Sequence, residues 1–574
     1  MNNVFSRRGL LKSLLFTIAV GGLNKSIPIY GATRQGIEIG DAKETEKAFE
    51  YELVIRRAPL LIGTKEGHPI TINDTFPAPL IRLKEGKDAV IKVTNELPYP
   101  TSIHWHGIII PNEMDGVPGV VFPGIGSGET FEYRFPVIQS GTYWYHSHTG
   151  LQEQLGHYGP LILDPIEPEP FECHRDYVVV LSDWTFEEPE AVLMHLKKWE
   201  GYYNFQKRTI FDLFREISDH GLVQTLKTRS MWGLMRMNPR DITDITGSTY
   251  TYLVNGKTPE EYETFIFKPG QKVRLRFINA SASTYFDVRI PGLKLQVVQA
   301  DGQNVQPVEV DEFRIAVAET YDIIVEPREN RPYAIFAESM DRSGYAMACL
   351  ATGRGIRPAI PKTRPPSERS MDSMDMASMH KGHHSMKTQE KTGACIDCEI
   401  KAQEYDFGPD AAMVVKRPRC QIDEPGVGLG QNGRRVLTYA DLKSVVPYNY
   451  KRPDQTLEVH LTGNMERFIW KMWTYDGRGF TSQFRQLIDM AFGKRVRLVF
   501  VNHSMMDHPI HLHGMWMYLE NGNRECNPRK HTVNIKPTEK LCVDVDADAI
   551  GNWAFHCHIL YHMHTGMFRV VRVC

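Results

Sequence analysis

The stretch RVRLVFVNHSMMDHPIHLHG, residues 495–514, decides how this chain is read. Apolar side chains alternate through Val496, Leu498 and Phe500; Asn502 follows, then a loop, then a second short run ending on Gly514. The same order returns in AVIKVTNELPYPTSIHWHG, residues 89–107, and in KVRLRFINASASTYFDVRIPG, residues 272–292. Each copy is followed at some distance by a second related segment: SGTYWYHSHTG from Ser140, RPYAIFAESM from Arg331, and IGNWAFHCHILYHMHTGM from Ile550. Period-two alternation between turn residues predicts antiparallel β-sandwiches. The threefold repeat predicts an all-β chain of three sandwiches of one ancestry, over 47–166, 170–356 and 431–574. The spacing is far too long for a solenoid. Residues 190–237 interrupt the second unit with a helix-like stretch, EAVLMHLKKWEGYYNFQKRTIFDLF at its start, whose Met, Trp and aromatic residues read as core packing.

The chain has 574 residues and a formal net charge of −2, so charge points to no nucleic acid and no membrane surface as partner. It begins with SRRGLLKSLLFTIAVGGL, residues 6–23, two arginines before an apolar run too short to span a bilayer comfortably. That pattern resembles a twin-arginine export signal. Residues 1–32 are expected to be removed near Ala32, leaving a soluble periplasmic monomer with no membrane attachment; an uncleaved anchor is the alternative. Nine cysteines are too few for a disulfide scaffold, and the odd count leaves at least one free thiol, for which Cys557 is the candidate.

Four histidine pairs stand two residues apart: His104 and His106, His146 and His148, His511 and His513, His556 and His558. On a strand, such pairs point to one face. Eight converging neutral imidazoles cannot all hydrogen-bond one another, since each needs a donor and an acceptor. Imidazole is a common ligand for copper, zinc, iron and nickel. The pairs occur in the first and third repeats and are missing from the second, so packing does not require them. They predict a metal site between the first and third units. Cys557 lies between His556 and His558 and so faces the other way. With His508, His562 and Met567 it makes two His, one thiolate and one thioether, the blue-copper set. Zinc has no redox role and no use for a weak thioether. Ser147 stands where the first repeat would carry a matching cysteine, so only the third unit is expected to hold a thiolate metal.

At these residues the chain resembles the multicopper oxidases. The motifs HWHGIIIPNEMDGVPGV, SGTYWYHSHTGLQEQLGHYGPLI, STYFDVRIPG, CNPRKHTVNIKP and WAFHCHILYHMHTGMFRVVRV resemble the copper resistance protein A family of the bacterial periplasm. The resemblance spans all three units and implies cupredoxin-like Greek-key sandwiches holding four copper ions. It implies a type 1 copper on His508, Cys557, His562 and Met567, and a type 2 copper on His104 and His511. One type 3 copper would take His106, His146 and His558, the other His148, His513 and His556. It implies that electrons pass through Cys557 to His556 and His558, and that dioxygen is reduced to water. Asp115 would be a carboxylate orienting the water of the cluster and feeding protons. Some relatives carry an acidic residue directly after the last type 1 histidine; here that residue is Met563, which puts proton delivery by that route in doubt.

Between the second and third units, residues 357–430 read as a linker holding SMDSMDMASMHKGHHSMK, residues 370–387. Met371, Met374, Met376, Met379, His380, His383, His384 and Met386 are the expected accessory copper ligands, because soft thioethers suit Cu(I). A plain linker is the other reading. Cys395 and Cys398 beyond it are open to a disulfide or to a thiolate copper site. The function expected is a periplasmic oxidase in copper resistance acting on Cu(I), and on phenols in vitro, with dioxygen as acceptor and periplasmic copper-handling proteins as partners. A copper-sequestering protein and a laccase-type oxidase of organic phenols are the alternatives.

Overall fold

The computed structural model describes residues 34–199, 201–234, 237–369, 398–400, 405–477 and 479–574. They are mostly β, in three successive pairs of sheets. The first pair has seven and four strands, the second six and five, the third seven and five. Within each pair, alternate side chains turn inward. Ile91, Val93 and Tyr133 meet Trp105, Tyr145 and Leu161 in the first. Leu275, Phe277 and Ile323 are buried with Phe286, Val288 and Ile335 in the second, and Leu498, Phe500 and Val543 with Ile510, Phe555 and Val571 in the third.

The repeated asparagine has the same work in each sandwich. Asn95, Asn279 and Asn502 end strands Asp88–Asn95, Val273–Asn279 and Arg495–Asn502, and all are fully buried. Each accepts the backbone N–H two residues on, from Leu97, Ser281 and Ser504 at 2.9, 3.2 and 2.8 Å. Each donates its amide to a carbonyl far along the chain: Ile125, Ile315 and Ile535. An asparagine amide can serve both sides of a turn at once, so it closes the loop that leads to the next strand.

That next strand pairs in the same way three times. His104–His106 runs antiparallel to Gly141–His146, with His104 opposite His146. Phe286–Arg289 pairs with Tyr333–Ser339. His508–Leu512 pairs with Gly551–Cys557, with Ile510 opposite Cys557 and His511 opposite His556. The middle sandwich keeps the pairing without any histidine.

The insertion forms three helices, α1 (Pro189–Lys198), α2 (Ile210–His220) and α3 (Leu222–Leu234). Thr209 and Asp212 cap α2 reciprocally, and Gly221 ends it at φ +80°. Core packing is expected of this stretch, and the structure corrects that in part. Val192, Leu193, Leu196 and Tyr203 are buried, but Phe211 is 81 % exposed and Phe214 65 %. The α2–α3 hairpin is braced by ion pairs, Arg229 and Arg208 with Glu216 and Arg240 with Asp212, rather than by its aromatic rings.

Arg369, the last described residue before the linker gap, pairs with Asp507 at 2.8 Å. Cys398 is disulfide-bonded to Cys542 of the third sandwich, and Cys420 is disulfide-bonded as well. Of the two readings of the Cys395/Cys398 pair, the disulfide holds for Cys398, which ties the linker to a strand 144 residues away. Cys395 and the run from Met371 to Met386 with His380, His383 and His384 lie outside the described residues, as does the twin-arginine segment. Cys557 is free, together with Cys173, Cys349, Cys526 and Cys574. Among the described residues no helix is long and apolar enough to cross a membrane.

Candidate metal centres

The strand Gly551–Cys557 sets the geometry of two sites. Cys557 is fully buried inside the third sandwich. Its sulfur lies 3.6 Å from Nδ1 of His508 and 3.9 Å from Nδ1 of His562, and those two nitrogens are 3.3 Å apart. His562 is on the short helix α4 (Leu560–His564), and the chain then turns back through Met567. Met567 is fully buried, and its carbonyl accepts the N–H of Cys557 at 3.0 Å. Trp470 stacks on His562 with ring centroids 3.8 Å apart. The outer nitrogen of His508 is held by Ser504 Oγ at 2.7 Å, and that of His562 lies 2.8 Å from a carboxylate oxygen of Asp244.

The neighbours of Cys557 face the first sandwich. His556 Nε2 lies 3.2 Å from His148 Nε2 and 3.0 Å from His513 Nε2. His146 Nε2 lies 3.4 Å from His106 Nδ1. His104 stacks on His513 and His106 on His511, with centroids 3.9 and 3.8 Å apart. All eight histidines of the four pairs therefore meet in one place, seven fully buried and His148 at the rim.

Five of them have their outer nitrogen on an oxygen. His104 Nδ1 donates to the Asp115 carbonyl at 2.8 Å, and His511 Nδ1 to the His531 carbonyl at 2.6 Å. His513 Nδ1 meets the Asp115 carboxylate at 2.9 Å. His146 Nδ1 and His556 Nδ1 reach the carbonyls of Ser147 and Cys557, both at 3.0 Å. The inner Nε2 atoms of His104, His511 and His558 are buried without any hydrogen bond among the described residues. A buried imidazole nitrogen left bare is costly unless something binds it. Outer N–H held and inner nitrogen bare is the arrangement of histidines that ligate a metal.

The electrostatics agree. Burial, and then the neighbouring rings, push His106, His511, His513 and His558 well below the ordinary histidine range, so the rings stay neutral. Burial first, and then the charge of Asp244, raises the Cys557 thiol, so in the bare protein it keeps its proton; a cation in the pocket reverses that preference. Two imidazoles and a thiol in one pocket, and eight imidazoles in the other, suit copper in both.

Four residues at these sites escape the motif reading. Glu153 is buried, with one oxygen 3.1 Å from His146 Nδ1 and the other 3.8 Å from His558 Nδ1. His531 sits 3.1 Å from His106 Nε2. Asp244 and Trp470 meet the rings of the thiolate site. Glu153 stands five residues after His148 and His531 inside CNPRKHTVNIKP, so both were visible; nothing in the sequence marks Asp244 or Trp470.

Known proteins give the same picture. The multicopper oxidase family matches residues 57–168, 175–354 and 450–574, one stretch in each sandwich. Copper resistance protein A of Escherichia coli is 45 % identical, with 99 % of each chain covered. Copper resistance protein A of Pseudomonas syringae pv. tomato is 44 % identical over the whole of both chains. Among solved structures, a laccase from Botrytis aclada superposes with a TM-score of 0.61 at 20 % identity, covering 94 % of this chain and 88 % of that one, a likeness of fold. With both centres built and all three sandwiches matched, the chain belongs to the multicopper oxidases, in the copper resistance protein A family.

Proposed function

We propose that the protein is a periplasmic cuprous oxidase that protects against copper, taking electrons from Cu(I) and passing them to dioxygen. The observation that carries this reading is the one strand that turns Cys557 toward His508 and His562 and turns His556 and His558 toward the six other paired histidines. Four copper ions fit the donor sets. His508, Cys557, His562 and Met567 would hold the type 1 ion, and His104 and His511 the type 2 ion. His106, His146 and His558 would hold one type 3 ion, and His148, His513 and His556 the other. Bound there, copper supplies one-electron acceptance at the thiolate site and four-electron reduction of dioxygen to water at the histidine site.

The residues of this chain do the rest. Cys557 joins the two sites by covalent bonds through its own backbone to His556 and His558. Burial of both sites in separate pockets keeps the reductant away from dioxygen chemistry. Asp115 orients His513 through its carboxylate and His104 through its carbonyl, and stands ready to hold a proton beside them. Glu153 offers a second buried carboxyl at His146, and burial raises its affinity for a proton well above the ordinary. It supplies an acid on the type 3 side where Met563 cannot. The names of the relatives, copper resistance protein A, favour copper as the reductant, and so does the thioether run between Met371 and Met386.

Oxygen uptake with Cu(I) and with a phenol tests the proposal. Uptake driven by both, with Cu(I) saturating at the lower concentration, is expected. Uptake with phenol alone would make it a laccase-type enzyme. Copper binding without any uptake would make it a sequestering protein.

A further inference from the structure

We propose that His531 is a positioning residue shared by two copper sites: its ring fixes His106 and its backbone carbonyl fixes His511. The proposal rests on the ligand assignment above and goes beyond it, because His531 belongs to none of the four histidine pairs.

The hydrogen bonds determine which nitrogen of each ring faces inward. His106 turns Nδ1 toward Nε2 of His146, 3.4 Å away, so Nδ1 is its inner nitrogen. A neutral imidazole carries one N–H, and the nitrogen that ligates must be bare, so the proton of His106 is on Nε2. That N–H points at Nδ1 of His531, 3.1 Å away, with Thr532 Oγ1 at 3.3 Å as a second acceptor. His531 Nδ1 is therefore the acceptor, and its own proton is on Nε2. His511 is set the opposite way. Its Nδ1 donates to the carbonyl of His531 at 2.6 Å, leaving Nε2 inward and bare. Two ligands of two different ions thus use opposite nitrogens, and one residue selects both.

His531 is itself held from several sides. Gly107, the glycine that closes HWHG, has φ +84°, and a Cβ there would fall 2.3 Å from Cδ2 of the His531 ring. The ring therefore fills the space that any other residue at 107 would take. The rings of Trp516 and Tyr143 flank it at 5.8 and 6.1 Å. On either side in sequence, the second sandwich grips the chain. Lys530 Nζ lies 3.0 Å from Asp301 and 3.1 Å from Glu319, and Thr532 N–H donates to Asp301 at 3.2 Å. All three charged groups are buried, and losing one partner of such a set leaves the others uncompensated. The middle sandwich has no ligand of its own, and through His531 it aims those of the other two.

The test uses full-length protein reconstituted with copper, as His531→Ala, His531→Asn and His531→Gln. Asparagine places its amide oxygen where Nδ1 of the histidine stands, whereas glutamine carries it one bond further. The readouts are the visible thiolate absorption, copper per chain, the fraction of copper visible by electron paramagnetic resonance, and oxygen uptake. A coupled type 3 pair is silent in that resonance, and a misaimed His106 uncouples it. All three variants are expected to keep the thiolate absorption, which reports a folded third sandwich. The Ala and Gln variants should show more resonance-visible copper at unchanged copper content, with uptake lowered about 10–100-fold, as for other outer partners of ligands, while Asn stays within about threefold of the parent. If Ala and Asn both lost a copper ion, His531 would be a ligand and the proposal would fall. If all three matched the parent, or if Asn were as impaired as Ala, the ring would have no positioning role. A parent without thiolate absorption would overturn the ligand assignment itself, and the proposal with it.

Discussion

Asp244 Oδ2 stands 2.8 Å from Nε2 of His562, at the seam where the loop after the helical insertion meets the third sandwich. Both side chains are buried. The other nitrogen of the same ring faces Cys557. The imidazole is therefore held between a carboxylate outside and a thiol inside. A negative charge on the outer nitrogen favours the more positive oxidation state of an ion on the inner one. Replacing Asp244 by Asn is expected to raise the reduction potential of the thiolate site and, with that larger driving force, to speed its reduction by Cu(I) about tenfold, within the range for outer partners of ligands. Potentiometric titration of the visible absorption checks the first and stopped-flow reduction the second. A potential that falls or stays put would show that the carboxylate does not act on the site.

Cys557→Ser is expected to remove the intense visible absorption and the oxidase activity together. The thiolate makes the absorption and also begins the covalent path to His556 and His558. Copper bound at the eight paired histidines should remain, measured as copper per chain. Strong visible absorption surviving in this variant would place the thiolate site elsewhere.

Glu153→Gln preserves shape and removes the acid. Reduction of the thiolate site by substrate should be unchanged, because Glu153 lies on the other face of the strand. Reoxidation by dioxygen should slow about 10–100-fold. Rapid mixing of reduced protein with dioxygen separates the two half-reactions. Equal slowing of both would mean that Glu153 matters for the fold rather than for the histidines beside it.

Acid should unfold the copper-free protein in a defined window. Burial lowers His157 and His556 from 6.5 to about 3. In the fold these rings stay unprotonated until pH is near 3, whereas in the unfolded chain they take up protons below 6.5. Their contribution to stability is complete above pH 6.5 and is lost progressively as pH falls toward 3. His106, His146 and His511 are shifted in the same direction. Circular dichroism should show a steep loss of structure in that range, with copper loading moving the midpoint to lower pH because the ion binds only the fold. A midpoint indifferent to copper would contradict the ligand role of these rings.

Deleting residues 370–387 is expected to slow Cu(I) oxidation at limiting copper while leaving phenol oxidation nearly unchanged. Thioethers bind Cu(I) and not phenols, and a tether beside the protein raises the local concentration of what it holds. Equal slowing of both substrates would make the segment a structural one; no slowing would make it a plain connection.

Much of this molecule is legible in the chain because both periods involved are short. Alternation at two residues gives the strands, and the same rule puts His556 and His558 on one face and Cys557 on the other. The missing histidines of the middle repeat identify which sandwiches share a site. What the chain hides comes from contacts across sandwiches. Asp244 reaches His562 from 318 residues upstream, and no local pattern prepares for it. The Cys398–Cys542 bond joins two ordinary-looking cysteines. The exposed rings of α2 mislead for the opposite reason, since an aromatic helical stretch reads as core unless its charges are seen to brace it.

The pleat that separates Cys557 from its neighbours also removes a freedom. Under the proposed function, the gap between where an electron enters and where it is consumed is written into a few peptide bonds, and no substitution along Gly551–Cys557 can lengthen or shorten it. Adding one residue would exchange the two faces altogether. Transfer between the centres can therefore be adjusted only through driving force and not through distance. Selection acting on the speed of this protein has to work on the surroundings of the rings, at Trp470 and Asp244 at one end and at His531 and Glu153 at the other.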